Sequence, residues 1–238
     1  MINAVRNSVL AILNKHNYGS IPVADFNEYS KMAQMEIFLG LFDDYNDVIN
    51  NENNRRSGTG EADMRRSIEE AIDIFTDTVD LTHISANTFS MPTDAYKIND
   101  ILVFDNGVFQ NTSDYITRSL AETMGLTNLN TPSLSFPNHY IEGTTVTMLP
   151  STINTSGDVK AEYVRFPADP KWTFVQLSGG EPVFNASAND YQDFELPKEY
   201  YVELIMKILE YTGLSIREAD VVKYVQVDSQ VKTMEKNN

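Results

Sequence analysis

The sequence predicts an α+β fold, with helices at both ends of the chain and a β-rich region between them. Two observations predict it. Apolar residues recur at helical spacing through the first 76 residues and again after Pro197. Residues 77–196 instead carry short runs rich in Val, Ile, Thr, Tyr and Phe, punctuated by Gly, Pro, Asn and Asp. The chain has 238 residues, 42% of them hydrophobic and 11% aromatic. That suffices for one sizeable core or two small ones and excludes wholesale disorder.

The elements follow in order. From Asn3 to about Asn14, Val5, Val9, Ile12 and Leu13 share a helical face, and the stretch to Ser20, with Gly19, breaks it. Pro22 stands where the first turn of a second helix tolerates proline. From Phe26, the residues Tyr29, Met32, Ala33, Ile37, Phe38, Leu41, Phe42, Tyr45, Val48 and Ile49 sustain a helical stripe to about Asn50. Residues 51–60 (NENNRRSGTG) hold no apolar side chain and read as a mobile surface loop. A third helix spans about Ala62–Phe75, with Met64, Ile68, Ile72 and Phe75 inward and Arg65–Glu69 and Arg66–Glu70 spaced as i, i+4 pairs.

In the middle region, Thr78–Met91, Ile98–Phe104 and Val108–Asn111 read as strands, and Asp105-Asn106-Gly107 as a hairpin turn. Ser113 is placed to cap a short helix through Tyr115, Ile116 and Leu120 that stops at Gly125. His139–Ile141, Thr144–Leu149 and Lys160–Phe166 complete the strands. Helix returns from Pro197 to Tyr211 with Gly213 as its stop, then from about Arg217 to Val231, ahead of a polar tail. The expected regions are therefore 1–76, 77–196 and 197–238.

Composition narrows the chemistry. There is no cysteine, which removes disulfides and thiolate sites. A formal net charge of −16 disfavours binding nucleic acid by phosphate neutralisation, although an acidic surface can face DNA that must slide past it. No segment approaches the roughly 20 apolar residues of a membrane span, and the amphipathic N-terminus does not read as a signal peptide. Synthesis in the cytoplasm fits.

Motifs for catalysis are weak. Asn14–Asp25 has the skeleton of a calcium loop, but His16 and Tyr18 occupy ligand places and a single carboxylate remains, so it reads as a turn. His16, His83 and His139 lie far apart, and no GxSxG elbow is present. Ser57–Gly60 and Gly179-Gly180 lack the spacing of a phosphate loop. Carboxylate pairs such as Glu69/Glu70 and Asp193/Glu195 read as solvated acids. No catalytic residue, cofactor or metal site is assigned. Arg55 and Arg56 read either as solvated or as reaching a partner's acidic patch or a DNA backbone. Trp172, behind Pro167 and Pro170, ends an extended segment as either an intramolecular core plug or a subunit-interface anchor.

Two stretches carry a family likeness. Asn14–Asn46 (NKHNYGSIPVADFNEYSKMAQMEIFLGLFDDYN) resembles the N-terminal helical segment of structural proteins of crAss-like and related tailed bacteriophages. Residues 162–172 (EYVRFPADPKW) and 193–222 (DFELPKEYYVELIMKILEYTGLSIREADVV) resemble segments of the head–tail connector, or neck ring, proteins of that group. The two stretches, Asn14–Asn46 and Glu162–Val222, cover roughly two fifths of the chain. The resemblance implies a virion structural protein and no enzyme. Such a protein closes a cyclic ring of about twelve copies below the portal, contacts other connector or tail proteins, and lets the genome through its lumen. It implies structural or interface roles for Pro167, Pro170, Trp172, Phe194, Leu196 and Gly213. Alternatives are a tail-tube or tail-hub component and, from a different class, a tail-associated peptidoglycan hydrolase. The expected location is the neck of the virion.

Overall fold

The computed structural model describes residues 1–15, 21–54, 62–124, 126, 130–176, 179–180 and 182–216. The fold is mixed α+β, with helices at both ends and strands in the middle. The chain does not divide linearly into three regions. It forms two compact units, one built from Met1–Ile74 together with the chain from Pro167 onward, the other from Phe75–Phe166. Residues 167–196, grouped by sequence with the strands, pack with the helices.

The first unit begins with helices α1 (Ile2–Lys15), α2 (Val23–Asn54) and α3 (Ala62–Asp73). α1 buries Ile2, Val5, Val9 and Leu13. Ile12, expected on that face, is 40% exposed, because Ile2 and Arg6 shift the stripe by part of a turn. α2 buries Phe26, Ala33, Ile37, Phe38, Leu41 and Val48, leaves Met32 exposed, and runs four residues into the expected loop. In α3 the expected pairs Arg65–Glu69 and Arg66–Glu70 both form at 2.9 Å.

The second unit is a sheet of eight strands: β1 (Thr76–Asp80), β2 (Thr82–Ser85), β3 (Thr88–Ser90), β4 (Ala95–Asp105), β5 (Val108–Tyr115), β6 (Asn138–Glu142), β7 (Thr145–Leu149) and β8 (Val159–Arg165). A short helix, α4 (Arg118–Met124), separates β5 from β6. The order across the sheet is β1-β8-β4-β5-β6-β7-β3-β2. Its two outer strands are consecutive in the chain, with Leu81 alone between them, so the sheet curls round until its ends meet at that corner. Leu81 is buried there and donates its N–H to Val159 O at 2.9 Å. The expected single strand Thr78–Met91 is thus three, bent at Leu81 and turned at Ala86-Asn87. Alternate residues fill the inside: Ile101 and Val103, Val146 and Met148, then Val159, Ala161 and Tyr163, with Phe89 and Ile153. The β4–β5 turn has Asn106 and Gly107 at φ 52° and 78°, the left-handed pair that a two-residue hairpin requires. Ser113 lies inside β5 rather than capping α4. Thr117 takes that role, its Oγ1 accepting the Leu120 N–H at 3.3 Å.

The chain then rejoins the first unit through the ribbon of β9 (Phe174–Gln176) and β10 (Pro182–Phe184), a 3-10 turn at Lys198–Tyr200, and α5 (Tyr201–Ile216). Gly213 is buried within α5, which continues past it, so glycine does not end this helix. The expected helix from Arg217 lies outside the described residues.

Candidate interaction site

α1 and α2 each carry polar residues on their apolar stripes, and these organise the first unit. On α1 the stripe Ile2, Val5, Val9, Leu13 also includes Arg6. On α2 the stripe from Phe26 to Leu41 includes Ser30 and Gln34, with Asn27 beside it. A polar group in an interior must find a partner or forfeit its hydration. Here most partners come from the backbone of residues 167–196, which has almost no regular secondary structure of its own.

Asn27 uses both ends of its amide on Trp172. Its Oδ1 accepts the Trp172 N–H at 2.9 Å, and its Nδ2 donates to Trp172 O at 3.2 Å. Two turns on, Gln34 donates to Ala168 O at 2.8 Å and accepts the Glu195 N–H at 3.1 Å. The Glu195 carboxylate in turn accepts the Ala168 N–H at 2.8 Å. Lys31 pairs with Asp169 at 2.7 Å on the solvent side. Pro167 and Pro170 are buried and need no N–H partner, which is why a segment with few ladder bonds can lie against a helix.

Trp172 ends that segment at 2% exposure, inside the unit. Its indole N–H donates to Asn3 Oδ1 at 3.0 Å, and Arg6 lies over its ring at 3.9 Å from the centroid. Phe174 and Phe184, paired across β9 and β10, stack on it with centroids 5.8 and 5.9 Å away. Burial pushes the Arg6 guanidinium's pKa down, and its Nε has no hydrogen-bond partner. Asp193 binds the start of α1. Its carboxylate pairs with the Met1 ammonium and accepts the Ile2 N–H at 2.6 Å and the Phe194 N–H at 2.9 Å. Burial pushes this carboxyl up, but the three hydrogen bonds outweigh burial and hold it below the usual carboxylate range. Phe194 and Leu196 are buried in the same unit.

An open groove of about 630 Å³ lies beside the cluster, between the first turn of α2 (Val23, Ala24) and the β9–β10 ribbon (Phe174, Gln176, Pro182). Its polar lining is already engaged. Lys171 pairs with Asp190 at 2.7 Å, Asn27 holds Trp172, and the Thr173 hydroxyl donates to Asn185 O. Among the described residues, the polar side chains Lys171, Asn27 and Thr173 are thus turned to partners within the unit rather than converging on the groove as a small-molecule site requires.

The second unit carries the most exposed of the large apolar side chains. Val108, Phe109 and Tyr115 project from β5, Leu120 from α4, and Leu126, Leu134 and Phe136 from the segment leading to β6. Leu126 is 82% and Phe136 75% exposed, and α4 has no buried residue at all. A seven-residue helix has little stability of its own. Over residues 108–113, β5 has among the described residues a strand partner on one side only, β4. Asn111 ties the 133–136 turn alongside by donating to Ser135 O at 2.7 Å.

Of the residues singled out by sequence, Pro167, Pro170, Trp172, Phe194 and Leu196 gather in the first unit. Gly213 is buried in α5, and Arg55 and Arg56 lie outside the described residues. The calcium-like loop is described only at its ends, where Asp25 opens α2. His83 bonds Ala86 O through Nε2 at 2.8 Å, and His139 bonds Ser113 Oγ through Nδ1 at 3.0 Å. Among the described residues no cluster of His, Asp or Glu is arranged to hold a metal, and no helix is long and apolar enough to cross a membrane. Sequence reasoning missed Asn3, Arg6, Asn27 and Gln34. The legible signal was a polar residue at a stripe position of a helix otherwise apolar on that face.

No protein-family model matches the chain, and no curated protein matches it.

Proposed function

We propose that this chain is a virion structural protein, a subunit of a cyclic ring at the head–tail connector of a tailed bacteriophage, docked below the portal. The observation that carries the reading is the set of exposed apolar side chains on β5, on α4 and at Leu126, Leu134 and Phe136. Large apolar side chains standing in water around a helix with no buried residue are what an interface lacks before its partner covers it. A ring supplies such cover by repeating one heterologous contact until it closes. The resemblance of Asn14–Asn46 and Glu162–Val222 to connector proteins supplies the particular assembly. The net charge of −16 is compatible with a lumen through which DNA slides without adhering.

Quantitative mass spectrometry of purified particles, comparing this chain with the portal protein, tests the proposal. A ratio near one supports a single docked ring, and a simple multiple supports stacked rings or a tail tube. Absence of the chain from the particle would overturn the structural reading.

A further inference from the structure

The curled sheet of the second unit is closed at two places of unequal strength. One is covalent, the corner at Leu81. The other is the seam between β5 and β6, which consists of two register pairs, Asp114–Asn138 and Tyr115–His139. It is the one parallel pairing among the described strands. Backbone bonds from the Asp114 N–H to Pro137 O at 3.0 Å and the Ile116 N–H to His139 O at 2.8 Å flank it. By contrast β4 and β8 share seven pairs, and β6 and β7 share five.

A buried imidazole sits in this thin seam. His139, on β6, is 5% exposed, and its Nδ1 meets Ser113 Oγ of β5 at 3.0 Å. The groups that act on it come from β4, β5 and β7, and α4 lies beside β6. β5 adds the Asp114 carboxylate and the Tyr115 ring, whose centroid lies 5.7 Å away, and β4 adds Asp100. α4 brings Arg118, already paired with Glu122 and with Glu142 at the end of β6. β7 presents apolar Met148 opposite His139 in register.

We propose that the β5–β6 seam is a protonation-controlled latch: the closed seam buries a neutral His139 imidazole against Met148, and a proton taken up from solvent makes it a buried cation that favours the open form. A cationic imidazole buried against Met148 loses hydration, and two flanking strand pairs are little to set against that loss. Burial lowers the imidazole's pKa below its ordinary 6.5, and the hydrogen bond with Ser113 and the carboxylates of Asp114 and Asp100 offset only part of this. With the closed-state value depressed, the stability of the closed seam is complete above pH 6.5 and is lost as pH falls through the lowered value. Opening frees the Asp114–Tyr115 edge of β5, at the end of the strand away from Val108. The latch is independent of any role in a ring.

Hydrogen exchange of the intact protein, followed by mass spectrometry from pH 7.5 downward and corrected for intrinsic exchange, reads the latch. Peptides from β5 and β6 should lose protection relative to those from β4 and β8 by about tenfold per pH unit between the ordinary and the lowered pKa. His139→Gln, neutral and still able to bond Ser113, should keep the seam protected and remove its pH dependence. Seam peptides that track the β4–β8 peptides at every pH, or an unchanged pH dependence in His139→Gln, would overturn the proposal. If that variant does not fold, the wild-type His139 proton resonance, assigned with His16→Gln and His83→Gln, decides. Titration below 6.5 supports the latch and titration at or above 6.5 sinks it.

Discussion

The guanidinium carbon of Arg6 lies 3.9 Å from the centroid of the Trp172 ring, and the buried Nε of that guanidinium has no hydrogen-bond partner. The first helix and a segment more than 160 residues later are therefore joined by a cation on an aromatic face, with Phe26 at 6.0 Å as a second ring. Such a contact is worth about 0.5–2 kcal/mol, against the cost of taking a charge out of water. The two nearly cancel, so the packing of Arg6, more than its charge, maintains this junction.

Substitutions at Arg6 separate those contributions. Arg6→Met keeps the volume and removes the charge, and unfolding in urea should place it within about 1 kcal/mol of the wild type. Arg6→Lys keeps the charge on a smaller, more strongly hydrated head that cannot stack, and should be the less stable variant, by about 1–2 kcal/mol. A lysine variant as stable as the wild type would show that charge alone sustains the contact.

Gln34 should matter more than its single side chain suggests. It satisfies Ala168 O and the Glu195 N–H together, in a place where water does not reach. Gln34→Ala leaves both unpaired, at a cost of about 2–4 kcal/mol. Because those groups tie down residues 167–196, limited proteolysis should cut there faster in the variant while the sheet of the second unit stays resistant. Unchanged cleavage would mean that Asn27 and Glu195 suffice.

α2 and α5 meet at a small network with its own pH signature. Lys207 and the Tyr211 hydroxyl, the latter at 2.7 Å, both bond the Glu36 carboxylate. Burial and then the Glu36 carboxylate push the Tyr211 phenol up to about 12. A raised folded-state pKa stabilises the neutral form. Its contribution is therefore complete below the ordinary value of 10.0 and lost as pH rises through about 12. Burial raises the Glu36 pKa, but the bonds from Lys207 and Tyr211 outweigh it and lower it overall. The Glu36 contribution is present above the ordinary value of 4.5 and lost as pH falls through the lowered one. Absorbance titration of tyrosinate should show a late-ionising phenol that disappears in Tyr211→Phe.

Helical stripes were the most legible part of the fold, because burial of one face writes a period into the sequence. α1 and α2 are recoverable from Val5, Val9, Phe26, Ile37, Phe38 and Leu41 alone. The β4–β5 turn was equally plain, since Asn106-Gly107 is one of the few pairs that tolerate positive φ at both central positions. Three features were not local and so were not legible. Leu81 looks like an ordinary strand residue, and only pairing with β8 before it and β3 after it makes it a corner. Residues 167–196 look like loop and strand because their hydrogen-bond partners are side chains of α2 more than a hundred residues earlier. Gly213 carries a helix-stop signal that packing inside α5 overrides. At the candidate site Trp172 and its prolines stood out, whereas Arg6 and Asn27, which hold the Trp, and Gln34, which holds Ala168 and Glu195, passed as ordinary helix residues.

The exposed apolar side chains on β5, on α4 and at Leu126, Leu134 and Phe136 make the most direct link between structure and proposed role. Leu126 and Phe136 are so exposed that replacing either by Asp should change the stability of the isolated chain by no more than about 0.5 kcal/mol. If a neighbour covers them in an assembly, the same substitution puts a carboxylate into an apolar contact, which costs several kcal/mol for each copy. In a closed ring that cost recurs at every interface, so modest destabilisation per contact becomes loss of the whole ring. Leu126→Asp combined with Phe136→Asp should therefore melt like the wild type in calorimetry yet be missing from purified particles. The double variant entering particles at the wild-type copy number would show that this surface faces solvent in the assembly, and the interface would have to be sought elsewhere on the chain.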